Sequence, residues 1–210
     1  MRERYVTVAA AGVHESEVSR SRFLCALAPA ADEAAAQAVL ARVRAGHPAA
    51  SHHCYAYVIG ADADVQKSSD DGEPGGTAGQ PMLQMLLRRD VRYAVAVVTR
   101  YFGGTKLGAG GLIRAYGGAV GAALDAVGTV TRQRLRLATL TVGHDRAGRL
   151  GHDLRATGRD VRAVRYGAEV AFDLGLPTAD VADFRAWVAD ATAGTARLEL
   201  HGDGYGPAPS

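Results

Sequence analysis

The alternation of hydrophobic and polar residues predicts strands and helices in turn through the first half of the chain. Four short segments rich in Val, Tyr, Ala and Leu are predicted strands: residues 5–8, 21–28, 52–60 and 93–98. Three segments repeat apolar residues at helical spacing and are predicted helices: residues 32–46, 81–90 and 112–127. The strand at 93–98 is apolar on both faces, which is typical of a central strand that is covered on both sides.

The pattern changes at Gly128, which divides the chain into a predicted first domain of residues 1–128 and a second of residues 129–205. The second domain has predicted strands at residues 135–142, 161–166, 168–174 and 195–201, and predicted helices that begin at residues 146 and 178. This order, βαββαβ, is typical of a ferredoxin-like fold, and the whole chain is predicted to be α+β. From residue 202 onward the chain is rich in Gly and Pro, so we expect fraying there and assign residues 206–210 to a tail.

Composition and charge exclude several classes of protein. The chain has 210 residues, of which 48% are hydrophobic and 22% are charged, so it can fill a core and is not predicted to be disordered. It has no run of about 20 apolar residues, so neither a transmembrane helix nor a membrane partner is predicted. A formal net charge of +2 gives no general attraction to nucleic acid, so such binding would need a local patch. The two cysteines form no disulfide framework, which indicates a reducing, cytoplasmic location.

The predicted helix at residues 112–127 contains an unusual number of glycines, Gly117, Gly118 and Gly121. Each of them costs about 1 kcal/mol of helix stability relative to Ala. We therefore expect this helix to pack closely against another backbone or a bound group.

His52 and Cys54 lie on one face of the predicted strand at 52–60, because they are two residues apart. Such a pair can bind a metal ion, or act as a nucleophile with its base. The sequence has no second pair at metal-ligand spacing and no CxxC or HExxH motif, so no metal ion and no cofactor is predicted. A packed cysteine and a hydrogen-bonded histidine are the structural alternative.

A polar, Gly-rich segment at residues 67–79 is predicted to be a loop that leads into a helix. Its three carboxylates, on Asp70, Asp71 and Glu73, can bind a divalent cation or cap the loop's own N–H groups. Glycines allow close backbone approach and a helix N-terminus attracts negative charge, so the end of the loop is a candidate anion site. Three of its residues are predicted contacts: Gly75, Gly76 and Thr77. An ordered turn without a ligand is the alternative.

A second Gly-rich loop follows the strand at 93–98 and leads into the next helix. Its backbone N–H groups and its cations together suit a phosphate. Seven residues are predicted anion contacts: Arg100, Gly103, Gly104, Lys106, Gly110, Gly111 and Arg114. We expect the two loops to converge on one anion site, and Arg100→Ala or Arg114→Ala to weaken phosphate binding with Tm nearly unchanged. The alternative is that the glycines permit tight packing and the charges pair internally.

Long stretches of these segments resemble the IMPACT family, and in particular its bacterial YigZ branch. The resemblance rests on SRF at 21–23, HHCYA at 52–56, SDDGEPGGTAGQP at 69–81, TRYFGG at 99–104, LG at 107–108 and GLIRAY at 111–116. It is strong over the first domain and extends to the second at the level of pattern. It implies an α/β domain of the ribosomal-protein type, which can contain a left-handed βαβ crossover, followed by a ferredoxin-like domain similar to the last domain of elongation factor G.

The resemblance also implies a link to translation, because both domains resemble modules of translation factors; the mechanism by which eukaryotic members act in translational control is not carried over. A translation-linked protein that binds RNA or the ribosome is therefore the first functional hypothesis. Nine arginines and only three aspartates lie between residues 132 and 165, and three of these arginines are the predicted RNA contacts: Arg132, Arg134 and Arg136. A solvated surface of the second domain is the structural alternative.

The second hypothesis is a hydrolase that acts on a phosphorylated or peptide-like small molecule. Five residues are its catalytic candidates: His52, Cys54, Asp70, Asp71 and Glu73. Convergence of the three segments in one concave pocket would favour the enzyme, whereas an open, positively charged surface would favour RNA binding.

Overall fold

The computed structural model describes residues 2–208. The chain divides into two compact units, Met1–Thr131 and Arg132–Ser210. The boundary predicted at Gly128 precedes this division, and strand β7 (Thr129–Val142) begins in the first unit and continues into the second. No helix in the described part of the chain is long and apolar enough to cross a lipid bilayer.

The first unit is built on a five-stranded sheet with the order β2-β3-β6-β4-β5, in which every neighbouring pair is antiparallel. Its elements are β1 (Arg4–Val8), β2 (Gly12–Val18), β3 (Ser21–Pro29), α1 (Glu33–Gly46), β4 (His52–Ile59), β5 (Val65–Ser69), α2 (Gly79–Arg88), β6 (Ala94–Tyr101) and α3 (Gly108–Val127). Helix α1 begins where the sequence predicts, because the Asp32 side chain accepts a hydrogen bond from the N–H of Ala35.

Helices cover both faces of this sheet, as the double-sided apolar pattern of β6 predicts. Alternate residues of β4 enter two cores, so that Cys54 packs with α2 and α3 whereas Tyr57 packs with α1. Val95 and Val98 of β6 are fully buried on opposite faces. Helices α2 and α3 therefore cover one face of the sheet, and α1 covers the other.

Two strands of this sheet were not predicted. β2 pairs with β3 through a tight turn in which Ser19 and Arg20 both have positive φ. Asn and Gly usually occupy such positions, so Ser and Arg gave no signal of a turn in the sequence. β5 contains Lys67 and the two residues after it, which the polar pattern assigns to a loop, and it pairs with β4. Both are edge strands, and their polar residues give no clear alternation.

The glycines of α3 have different surroundings. A Cβ at Gly117 would lie 3.6 Å from the carbonyl oxygen of Pro81, and one at Gly121 would lie 3.4 Å from Cε of Met85. These two glycines therefore face α2, as close packing requires. A Cβ at Gly118 would have no atom within 4 Å, so packing does not explain this glycine.

The second unit has the predicted element order, and its strands are antiparallel neighbours in the order β10-β7-β9-β8, as part of a five-stranded sheet in which β1 also pairs with β7. Beside β7 its elements are α4 (His144–Ala156), β8 (Asp160–Tyr166), β9 (Val170–Pro177), a 3-10 turn (Thr178–Asp180), α5 (Val181–Thr192) and β10 (Arg197–Pro207). Val170, Phe172 and Leu174, which alternate with more polar residues along β9, lie in one core with Phe184, as the sequence pattern of a half-buried strand predicts.

The fraying predicted from residue 202 onward is wrong for residues 202–207. Strand β10 continues through a bulge after Leu200 and ends at Pro207, which pairs with Arg132. The glycines there permit close packing, since a Cβ at Gly206 would lie 2.4 Å from Cδ1 of Leu135. Residues 209 and 210 of the predicted tail lie outside the described residues.

Candidate functional site

Asp70 caps the Gly-rich turn at the N-terminus of α2. Its Oδ2 accepts a hydrogen bond from the N–H of Gly76 at 2.8 Å, and its Oδ1 accepts from Ala78 at 3.0 Å and Gly79 at 2.8 Å. Burial alone would raise the pKa of Asp70, but these three N–H donors outweigh it and lower the pKa below its ordinary value. The N–H of Gly76, a predicted anion contact, and the first N–H groups of α2 are therefore occupied by the chain's own carboxylate, while the N–H of Thr77 donates to the carbonyl oxygen of Pro74.

Glu73 and Arg100 form a buried ion pair. Their side chains are 4% and 6% exposed, and Nη1 of Arg100 donates to Oε1 of Glu73 at 2.6 Å. The same oxygen accepts a hydrogen bond from the hydroxyl of Tyr116 at 2.7 Å. The Arg100 guanidinium also lies 5.5 Å from the ring centroids of Phe23 and Phe102. The charges of Glu73 and Arg100 therefore pair internally, which was the alternative to an anion site. Arg100 presents no free charge to a ligand.

Asp71 links the same loop to α1 and β4. Its Oδ1 accepts from Nη2 of Arg44 at 2.7 Å, and its Oδ2 accepts from the backbone N–H of His53 at 2.7 Å. Asp71 also has a positive φ of 43°, which turns its carbonyl toward His52. The three carboxylates of the loop are thus each bound by groups of the protein itself.

His52 is held in one tautomer. Its Nδ1 lies 2.9 Å from the carbonyl oxygen of Asp71, and because a carbonyl only accepts, Nδ1 carries the proton in the neutral ring. Nε2 then has a free lone pair, 3.9 Å from Oε1 of Glu73, and the side chain is 25% exposed. His52 has the geometry of a base, yet Nε2 makes no hydrogen bond to any nucleophile among residues 2–208.

Cys54 is unsuited to nucleophilic catalysis. It is fully buried, and its thiol donates to the carbonyl oxygen of Asp70 at 3.0 Å. Burial raises its pKa to about 12, so the thiolate is scarce at neutral pH.

Thr77 is also engaged, because its hydroxyl donates to the carbonyl oxygen of Pro74 at 2.6 Å. Within the described chain, no group of three or more His, Cys, Asp or Glu side chains could hold a metal ion.

The loop between β6 and α3 is fixed by the β2–β3 turn. The N–H of Gly103 donates to Oγ of Ser21, and a Cβ at Gly103 would lie 2.0 Å from backbone atoms of Arg20. The glycine is therefore required for this close approach. Gly104 and Gly108 have positive φ, and Lys106 between them is exposed.

A cavity of about 450 Å³ lies between α2 and α3 and includes residues from both predicted anion segments. Its walls are formed by Gly76, Gln80, Pro81, Gln84, Met85, Arg88, Ile113, Arg114, Gly117 and Gly118. We call this the α2–α3 groove. Gly76 and Arg114 are the predicted anion contacts that it contains, while Gly75, Gly103, Gly104, Lys106, Gly110 and Gly111 do not line it.

Sequence reasoning missed several residues of this groove. Gln80, Gln84 and Arg88 are spaced four residues apart, which places them on one face of α2, and that spacing is the signal that could have identified them. Arg88 and Arg114 have no carboxylate partner among residues 2–208. Lys106 has none there either.

The arginines of the second unit are largely paired with carboxylates. Arg134 and Arg136 both bind Asp203, at 2.6 and 3.2 Å, and the Arg134 hydrogen bond lowers the pKa of Asp203. Within the described residues, seven of the nine arginines between 132 and 165 have a carboxylate within 4 Å, the exceptions being Arg132 and Arg155. Asp203 lies outside residues 132–165, so it was not included when the arginines and aspartates of that segment were counted.

Comparison with known proteins identifies the family. A model of the Impact N-terminal domain matches residues 19–124, the part of the chain that contains the loops and the groove. The IMPACT family member YvyE of Bacillus subtilis (strain 168) is 39% identical over 199 residues, which cover 95% of this chain and 92% of that protein. The chain belongs to the IMPACT family. The resemblance noted in the sequence is thereby confirmed.

Other relatives agree with this assignment. The IMPACT family member YigZ of Escherichia coli (strain K12) is 42% identical over 184 residues, which cover 87% of this chain and 90% of that protein. A model described as a domain of unknown function (DUF1949) matches residues 140–195. A crystal structure of a hypothetical protein, 39% identical, has a TM-score of 0.66 and covers 94% of this chain and 97% of that chain. The mixed α+β, two-domain organisation of this IMPACT protein agrees with these matches.

Proposed function

We propose that this IMPACT protein is a translation-linked regulator that binds RNA through the phosphates of its backbone. One observation carries the proposal, namely the distribution of charge around α2 and α3. The carboxylates of the acidic loop are bound internally, whereas Arg88, Lys106 and Arg114 are exposed and have no carboxylate partner among residues 2–208. Arginines of this kind attract phosphates, and binding releases counterions from the RNA.

The anion contacts that this proposal retains are fewer than the sequence predicts. Arg100 is excluded because it is buried against Glu73, and the N–H of Gly76 is bound by Asp70. At the N-terminus of α2, Asp70 accepts from the N–H groups of Ala78 and Gly79, whereas no described side chain caps the N-terminus of α3. Because α3 begins at Gly108, its free N–H groups extend to Gly110, which we propose assists Lys106 and Arg114, while Gly111 lies beyond them.

The link to translation rests on likeness of fold. The element order and the strand order β10-β7-β9-β8 support a ferredoxin-like assignment for the second unit. In the first unit, α1 connects β3 to β4, two parallel strands that lie on either side of β6, and this supports the proposed βαβ crossover of the ribosomal-protein type. Its left-handed connection stays a prediction from the resemblance. Likeness of this kind is an association and carries less weight than the charges.

Hydrolysis is less well supported by the same geometry. A hydrolase needs a base together with a nucleophile or a metal ion, and the carboxylates of the loop are already engaged as acceptors. His52 keeps a free ring nitrogen, but the Cys54 thiol on the same strand face is buried.

The proposal is tested by the salt dependence of RNA binding. Each phosphate neutralised on a single strand contributes about −0.7 to the slope of log K against log salt. We expect Arg88→Ala combined with Arg114→Ala to reduce the slope by about 1.4 for a fluorescein-labelled oligouridylate of about ten nucleotides, measured by fluorescence anisotropy. Arg132→Ala combined with Arg134→Ala and Arg136→Ala is expected to reduce it by only about 0.7, because Arg134 and Arg136 are both held by Asp203 and only Arg132 has no carboxylate partner among residues 2–208.

Arg149→Ala is the matched control, because this exposed arginine pairs with Asp153 on the surface of α4. It should leave the slope unchanged. A wild-type protein that binds no RNA at low salt, or a double variant with the wild-type slope, would contradict the proposal.

A further inference from the structure

The α2–α3 groove runs between two parallel helices. Gly117 lies against Pro81 and, one helical turn later, Gly121 lies against Met85, so both helices run in the same direction. Arg114 is therefore level with the first turn of α2, about ten residues before Arg88. Ten residues of α-helix span about 15 Å, so the two unpaired cations stand at opposite ends of the groove.

The residues that line the groove suit a nucleic acid strand, which carries many negative charges and planar bases. Its described lining contains no acidic side chain. Of the acids near its ends, Asp70 is bound by three N–H groups and Asp125 by Arg89. Between the two arginines lie the amides of Gln80 and Gln84, which can both donate and accept hydrogen bonds.

Apolar walls accompany these amides. Ile113 of α3 is 45% exposed, and Met85 of α2, half-buried, lines the groove further along. Ile113 precedes Arg114 directly, so an apolar surface and a cation lie side by side at this end of the groove. A base can make apolar contact with Ile113 while its phosphate meets Arg114.

Gly118 keeps the groove open. This residue lies in the interior of a 20-residue helix, where glycine reduces stability, and neither its backbone conformation nor its packing requires the absence of a side chain. A Cβ at Gly118 would meet no protein atom within 4 Å, and Gly118 is exposed and lines the groove. A larger side chain at this position would therefore narrow the groove without displacing protein atoms.

We infer that the α2–α3 groove is the path of single-stranded RNA, with phosphates of non-adjacent nucleotides at Arg114 and Arg88 and the bases between them. This inference rests on the proposed function and specifies the site and the form of the ligand. A ligand with a single phosphate satisfies one end of the groove only, whereas a strand presents phosphates at regular intervals and satisfies both.

The test is to fill the groove without removing a charge. Gly118→Leu places a side chain in the groove, and Gly148→Leu is the matched control, because Gly148 is an exposed glycine inside α4 with no atom within 4 Å of a Cβ. Both substitutions replace a helical glycine, so each should raise Tm by about 2–4 °C. Gly118→Leu should weaken binding of the labelled oligouridylate at least about tenfold, and Gly148→Leu should leave it unchanged.

Each outcome has a definite meaning. If Gly118→Leu binds oligouridylate as the wild type does, the groove is not the path, although RNA binding itself stands. If the wild type binds no oligouridylate at low salt, the proposed function fails and the inference with it. If Gly118→Leu lowers Tm, the binding comparison with the wild type is made with Gly118→Ala instead. This variant adds only one methyl group to the groove.

A second probe distinguishes the sources of the phosphate. Uridine 5′-monophosphate should compete with the labelled oligouridylate only at concentrations at least about a hundredfold higher than an unlabelled strand, since it reaches one arginine. Equal competition by the monophosphate would overturn the assignment to a strand and indicate a small nucleotide as the ligand.

Discussion

Glu73→Gln is expected to lower the free energy of unfolding by about 3–5 kcal/mol, the usual cost of removing one partner from a buried ion pair. Arg100 is almost entirely buried and its charge is balanced at Glu73, so the substitution leaves a guanidinium without a counter-charge. Urea unfolding at neutral pH measures the loss. Glu73→Gln combined with Arg100→Met should recover most of it, because the buried charge is then gone and the amide oxygen at position 73 still accepts from the hydroxyl of Tyr116.

The control for this prediction is Glu15→Gln, which removes the carboxylate of an exposed ion pair with Arg22 and should unfold close to the wild type. An equally small effect of Glu73→Gln would show that the pair is not structural. The same argument corrects the expectation for Arg100→Ala, which should lower Tm clearly, whereas Arg114→Ala should leave Tm nearly unchanged.

Asp70→Asn is expected to lower the free energy of unfolding by about 3 kcal/mol at pH 7. The carboxylate accepts three backbone hydrogen bonds, and an amide replaces the charge and one of its two acceptor oxygens. Asp125→Asn, at an exposed ion pair in the same unit, should change stability little. A loss no greater than that of Asp125→Asn would contradict the capping role of Asp70.

The pH dependence of this effect has a definite sign. The pKa of Asp70 is lowered in the folded protein, so its contribution to stability is fully present above the unfolded pKa of about 3.9 and is lost as pH falls through the folded pKa. The difference between the wild type and Asp70→Asn should therefore be constant near neutral pH and shrink below about pH 4. A difference that grows on acidification would exclude the carboxylate as its source.

Periodicity predicted the parts of the fold in which one face is buried. The two faces of β4, the cap of α1 at Asp32 and the alternation of β9 all follow from local sequence, and the structure confirms them. The edge strands β2 and β5 escaped prediction because half-exposed strands tolerate polar residues, and the turn at Ser19 and Arg20 lacks the usual glycine.

Motifs predicted which segments meet but not what each charge does there. Glu73 and Arg100 are 27 residues apart, and Arg134 and Asp203 are 69 apart, so their pairing depends on the fold. The anion cradle before α2 was predicted from its glycines, and only the geometry shows that Asp70 fills it. The groove was missed because its distinctive residue, Gly118, has no side chain.

The central claim is that single-stranded RNA binds in the α2–α3 groove. The most direct test is photo-crosslinking of RNA that contains 4-thiouridine, followed by mass spectrometry of the crosslinked peptides. RNA bound along α2 and α3 should crosslink to peptides that contain the groove, at residues 76–88 and 113–118. Gly118→Leu should abolish these crosslinks. Crosslinks confined to the arginine-rich segment at residues 132–165, unaffected by Gly118→Leu, would contradict the assignment of RNA binding to the first unit.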